Sequence, residues 1–185
     1  MAPPVLRGPF SVETYQRLGE LGILREDDRV ELIDGQVVAM TPIGDRHASC
    51  VRRLLDVFSR EARELAITDV QNPVVLGPHD SPQPDVVLLI RRPDGYPRHP
   101  CPPDILLVIE VADTSLSYDR DTKIPLYAQA GIPEAWLVDL VAETITVYRR
   151  PGPDGYSETA SVARGELVRP LLLAGVTITA DEILA

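Results

Sequence analysis

The chain has 185 residues, 44% of them hydrophobic and 25% charged, a balance that suits one globular domain with a substantial core. Its 28 acidic residues against 18 basic ones give a formal net charge of −10, which argues against a broad nonspecific nucleic-acid surface while leaving room for a local cationic groove. No apolar run reaches the roughly 18 residues of a transmembrane helix, and the start, Met1–Arg7, lacks the apolar centre of a signal peptide, so a cytoplasmic protein with no membrane partner is expected.

Residues 11–21 read as a first helix with Ser11 as its N-cap. Residues 29–40 read as a β-hairpin, because Asp34-Gly35 is a tight-turn pair between two arms of alternating apolar character. Residues 44–65 carry the longest helical pattern, with Val51, Leu54, Leu55, Phe58, Ala62 and Leu65 at three- and four-residue spacing. Three β-rich runs follow, at 70–76, 85–90 and 105–111, separated by loops rich in proline, glycine and aspartate. A helix is expected over 118–130, stopped by Gly131 and kinked at Pro125. Strands at 136–140 and 144–149 come next, then a turn at 151–155, a tail with weaker strand signals and a last short turn at 181–184. A strand, helix, strand step implies a right-handed crossover between parallel neighbours. The expected fold is therefore α/β with a mixed central sheet flanked by helices, in a single domain. Residues 1–43 form its helix and hairpin, 44–150 its core, and 151–185 a β-rich carboxy-terminal extension.

Glu110 stands out, because it lies near the end of Ile105-Leu106-Leu107-Val108-Ile109-Glu110-Val111, otherwise a buried strand. An ionised carboxylate there loses several kcal/mol in desolvation unless a cation, a metal or strong donors compensate. Strand alternation places Leu106, Val108, Glu110 and Ala112 on one face. Asp85 opens the preceding strand after Pro84, although Pro-Asp is also an ordinary turn pair. Lys123 follows on the next helix, where Asp119 at four-residue spacing offers it a solvent-facing ion pair instead. If the first two strands are neighbours, Asp85 and Glu110 can share a hard divalent cation, and Lys123 can stabilise the negative charge of a phosphoryl transition state or orient the attacking water.

This pattern is similar to the PD-(D/E)XK nuclease superfamily, and more specifically resembles the Uma2 (DUF820) family of endonucleases. The resemblance is carried by Val30-Glu31-Leu32-Ile33-Asp34-Gly35, Gln83-Pro84-Asp85-Val86 and the stretch from Pro103-Asp104-Ile105 to Trp136-Leu137-Val138-Asp139. It implies a restriction-endonuclease-like core, Mg²⁺ or Mn²⁺ held by Asp85 and Glu110, and catalysis by Asp85, Glu110 and Lys123 on a nucleic acid, DNA first. The superfamily's usual lysine, two residues after the glutamate, is Ala112 here, and Lys123 on the following helix takes its place. Supporting roles fall to Glu31, as a further ligand or an outward-facing strand residue, to His47 at the start of the long helix, and to Gln83 and Tyr127 along the cleft.

The arginines at 52, 53, 60 and 63, and at 91, 92 and 98, read as solvated surface. Cys50 and Cys101 read as reduced thiols without metal-ligand spacing. A homodimer would pool two grooves and offset the acidic charge. The alternative function is a nuclease-like fold that has lost catalysis and serves as an interaction module. The lack of a Gly-rich phosphate loop argues against nucleotide hydrolysis.

Overall fold

The computed structural model of the protein describes residues 8–25 and 27–184; the Met1–Arg7 stretch read above lies outside them. Helix α1 (Val12–Glu20) starts where expected, with the Ser11 hydroxyl accepting the Thr14 amide. Strands β1 (Val30–Ile33) and β2 (Gln36–Ala39) form the anticipated antiparallel hairpin. Its turn needs positive φ at both Asp34 (49°) and Gly35 (67°). Gly35 is demanded twice, since a Cβ there would come within 2.6 Å of the Pro9 side chain.

Helix α2 (Asp45–Glu61) is shorter than its apolar pattern. Ala62 leaves helical geometry, and its carbonyl accepts the amides of Leu65 and Ala66. Leu65 therefore turns outward and stays exposed, while Ala66 starts β3 (Ala66–Val70). The expected strand at 70–76 is thus corrected to one that ends where it was to begin. Gln71 adopts φ 53° and Pro73 has no amide to offer a ladder, so 71–76 forms a loop whose Val74 and Leu76 amides bond Pro82 and Asp80.

Strands β4 (Val86–Ile90), β5 (Ile105–Ala112), β6 (Glu134–Asp139), β7 (Thr144–Gly152) and β8 (Gly155–Ala163) complete a six-stranded sheet ordered β3-β4-β5-β6-β7-β8. Only β5 and β6 pair in parallel, and they are the two strands joined through the helical segment. The tail's first strand is therefore an integral edge of the central sheet. A bulge opposite Leu88 and Leu89 corrects the expected face of β5: Leu106 is the extra residue, and it joins the side of Leu107 rather than that of Glu110.

One face of the sheet packs Val86, Leu88, Leu107, Ile109, Trp136 and Val138 against Leu54, Val57 and Phe58 of α2. The rings of Phe58 and Trp136 meet there at 6.0 Å. Strands β9 (Leu167–Val168) and β10 (Ile178–Thr179) and helix α5 (Ala180–Leu184) close the same side. The opposite face packs Val87, Leu89, Ile105, Val108, Ala112 and Leu137 against Ile124, Tyr127 and Ile132.

Between β5 and β6 the chain runs through α3 (Leu116–Tyr118), a π-turn (Asp119–Lys123) and α4 (Ile124–Gln129). The expected kink at Pro125 takes this form. Proline cannot return an amide to Asp121, and the Ile124 amide reaches back five residues to the Asp119 carbonyl.

Candidate active site

The site follows from sheet register. Val86 pairs with Ile109 across β4 and β5, so the next position on each strand is Asp85 and Glu110. Both lie on the face that α3 and α4 cover, at the rim of a cleft of about 360 Å³. Glu31, His47, Gln83 and Lys123 line the same cleft. The structure therefore brings together six of the seven residues singled out in the sequence, and the seventh, Tyr127, lies directly behind Glu110 as its hydrogen-bond donor.

Asp85 is held at both oxygens. Oδ2 accepts the Val111 amide at 2.9 Å, and Oδ1 lies 3.0 Å from Nε2 of His47 in the first turn of α2. The other ring nitrogen of His47, Nδ1, is buried with no hydrogen-bond partner. Glu110 presents Oε1 to the Lys123 ammonium at 2.7 Å and accepts the Tyr127 hydroxyl. Lys123 also lies 3.6 Å from Glu31 Oε2. Glu31 in turn accepts the Gln83 amide and the Tyr118 hydroxyl, each at 3.1 Å. Glu31 thus faces inward, and Gln83 acts through its backbone.

The π-turn decides what Lys123 can do. Its added residue breaks the four-residue phase that would have paired Lys123 with Asp119 on the solvent side. Both are buried instead, at 3% and 5% exposure, and Asp119 is bonded by the Ser115 hydroxyl.

Electrostatically the cleft has an excess of acid. Burial pushes the Glu110 carboxyl up to about 8 against the pull of Lys123, with Asp85 and Asp119 adding to the rise. Burial also raises Asp119. For Lys123 burial works toward neutrality, but Glu110, Glu31 and Asp119 outweigh it and raise the ammonium above its usual range. Lys123 is therefore a fixed positive charge rather than a general base. Burial and the Glu110 carboxylate raise Tyr127 well above an ordinary phenol, so it stays a donor.

This donor set suits a hard divalent cation. Two carboxylates on neighbouring strands, with water for the remaining positions, match how Mg²⁺ is commonly held, and a cation between them would relieve the charge that burial penalises at Glu110. Among the described residues no group of three or more histidine, cysteine, aspartate or glutamate side chains gathers into a metal cage. The donors on hand are therefore those of a sparse, water-rich site.

Sequence reasoning missed three residues. Asp119 was hidden by its apparent pairing with Lys123, and Pro125 was the available sign that the helical phase would slip. Tyr118 became visible only once β1 was seen to face the helical segment. Gln71 donates to both backbone and side-chain oxygens of Asp85 and carried no sequence signal. The arginine groups do not form a groove. Arg53 and Arg60 tie α2 to Ile183 and Glu182, Arg91 caps the Arg63 and Ala66 carbonyls, and Arg92 and Arg98 converge on Asp104. The solvated-surface reading holds for six of the seven, which are exposed, while Arg53 is half-buried against α5; several of these exposed heads also make the contacts named above. Both cysteines are free thiols.

Comparison with known proteins bears on the family and the fold. Residues 12–181 match the family model Uma2, described as "Putative restriction endonuclease". The chain is similar to a solved structure from Anabaena variabilis ATCC 29413, described as "a putative nuclease belonging to DUF820". The TM-score is 0.76 at 19% identity, covering 95% of this chain and 98% of the other, a likeness of fold. None of the curated proteins compared with the chain matches it.

Proposed function

The chain belongs to the Uma2 family, and on that premise we propose that the cleft hydrolyses phosphodiester bonds as a metal-dependent DNA endonuclease working in the cytoplasm. The observation that carries the reading is the convergence of Asp85, Glu110 and Lys123 in one acidic cleft. Asp85 and Glu110 would hold Mg²⁺ or Mn²⁺. When bound, the ion would polarise the scissile phosphate and lower the pKa of a coordinated water.

The chain's own residues supply the rest. The Val111 amide and His47 fix the orientation of Asp85. Tyr127 and Lys123 engage one oxygen of Glu110, and its other oxygen accepts no hydrogen bond among the described residues. Lys123, held protonated among carboxylates, offers positive charge to the pentavalent phosphoryl group as negative charge accumulates there. Glu31 braces that ammonium from the hairpin side and stands behind the site rather than as a first ligand.

The test pairs a binding readout with a chemical one. Mn²⁺ and Mg²⁺ are expected to raise the melting temperature of the wild type and to support cleavage of DNA. Asp85→Asn is expected to lose both responses while remaining folded. A wild type that shows no thermal response to either metal and cuts neither DNA nor RNA in their presence would overturn the proposal. That outcome would favour the interaction-module alternative, in which Glu110, Lys123 and Tyr127 are a structural network.

A further inference from the structure

The two edges of the central sheet are unequal. β3 has five residues, ends at the positive φ of Gln71, and has its first carbonyl, at Ala66, capped by Arg91. β8 has nine residues, keeps an unshifted register against β7, and contains no proline, lysine or arginine. Residues 157–161 are exposed on both faces. Among the described residues, no backbone hydrogen bond from outside the sheet reaches the strand between Tyr156 and Val162. A long edge without bulge or proline, whose single charge is Glu158 paired to Arg150 of the neighbouring strand, is a template for another strand, and proteins usually protect such edges.

We propose that β8 pairs antiparallel with β8 of a second copy of this chain, joining both sheets into one. The strand is self-complementary in a way that specifies the register. Two-fold symmetry between antiparallel strands requires one residue to face its own copy. Centring on Thr159 is the choice that overlaps the whole of Gly155–Ala163. Threonine then faces threonine, a favourable cross-strand pair, and Ser157 faces Ser161. Glu158, the only charge on the strand, faces Ala160. Centring one residue earlier would set Glu158 against its copy and shorten the overlap. The fit of the neutral Thr159 centre selects a second copy as the occupant. The exposed apolar residues Leu167, Leu171 and Leu172 follow β8 in the chain. Contacts of Arg149 and Glu134 with the backbone of Arg169 and Leu171 tether that segment to the neighbouring strands. The proposal does not depend on the nuclease reading.

Sedimentation equilibrium of the full chain tests it, with thermal melts as the folding control. The wild type is expected to dimerise with concentration. Thr159→Lys sets two ammonium groups face to face at the centre and is expected to leave a monomer. Ala160→Glu places like charges opposite Glu158 twice and is expected to weaken the dimer about tenfold, whereas Ala160→Lys creates two opposite-charge pairs and is expected to tighten it by a similar factor. If Thr159→Lys fails to fold, the opposed response of the two Ala160 variants decides alone. A wild type that stays monomeric at the highest concentration, or a dimer in which Ala160→Glu and Ala160→Lys change affinity in the same direction or not at all, overturns the proposal.

Discussion

Glu110 and Glu134 are both glutamates on adjacent central strands, exposed by only 2% and 0%, yet they are buried in different ways. At Glu134, Oε1 receives the Trp136 indole at 3.0 Å and Arg149 at 2.8 and 2.9 Å, while Oε2 receives the Leu171 amide at 2.6 Å. Every lone pair that matters has a donor, and the pair ties β6 and β7 to the segment after β9. At Glu110 the compensation is partial: it has the Tyr127 hydroxyl and one ammonium shared with Glu31, both on a single oxygen, and Asp85 and Asp119 oppose its charge. Burial of a carboxylate therefore marks a structural pillar where donors saturate it, and a place with charge to spare for a cation where acids outnumber the cations present.

The largest effect that can break this contrast is at the pillar. Glu134→Ala leaves a half-buried guanidinium and a buried indole N–H unpaired and is expected to cost about 3–5 kcal/mol in a urea titration. A loss below about 1 kcal/mol would dissolve the distinction. Arg149→Lys keeps the charge but forfeits the two-point contact and is expected to cost about 1–3 kcal/mol by the same measurement. In metal-free protein, Glu110→Ala is expected to cost less than Glu134→Ala, because the repulsion of Asp85 and Asp119 that it removes offsets part of what Lys123 and Tyr127 lose. A strong destabilisation would make Glu110 a second pillar.

The finest distinction is in the pH response. Glu110 titrates near 8 in the fold and near the ordinary 4.5 unfolded, so between those values the native state binds more protons. Metal-free stability is then expected to fall as pH rises from about 5 to 8, with the fall reduced in Glu110→Gln. Asp104 works in the opposite sense. Burial alone would raise it, but the Cys101 amide and thiol and the Arg92 guanidinium hold it below the ordinary carboxylate range. Its contribution is present above that range and lost as acid titrates it, which Asp104→Asn melts at low pH would show.

Much of the architecture was legible in the sequence because it rests on local chemistry. Asp34-Gly35 encodes its turn, Ser11 its cap, and the apolar rows of 105–111 and 51–58 their strand and helix. The acid pair was legible because a charge on an apolar strand contradicts its surroundings. Glu134 shows the limit of that signal: it lay just before the strand expected at 136–140, and only the structure extends the strand to it and brings in Arg149 and Leu171 to satisfy it. The strand at 66–70 was misplaced because β pairing is nonlocal, and the apolar residues of 70–76 mimicked a strand that Gln71 and Pro73 forbid. Asp119 was misread for a similar reason, since helical spacing presumes a constant pitch.

That pitch has a further consequence. Each residue turns an α-helix by about 100°, so the extra residue of the π-turn works as a phase shifter, swinging everything before it relative to α4. Excising Thr122 would restore even winding without touching the apolar anchors Ile124 and Tyr127 or the adjacent Lys123, and the upstream Tyr118 and Asp119 side chains would rotate by about 100° relative to the ammonium. The length of this connection, as much as its composition, is then a heritable variable: one codon gained or lost there decides whether Tyr118 and Asp119 share the cleft with Lys123.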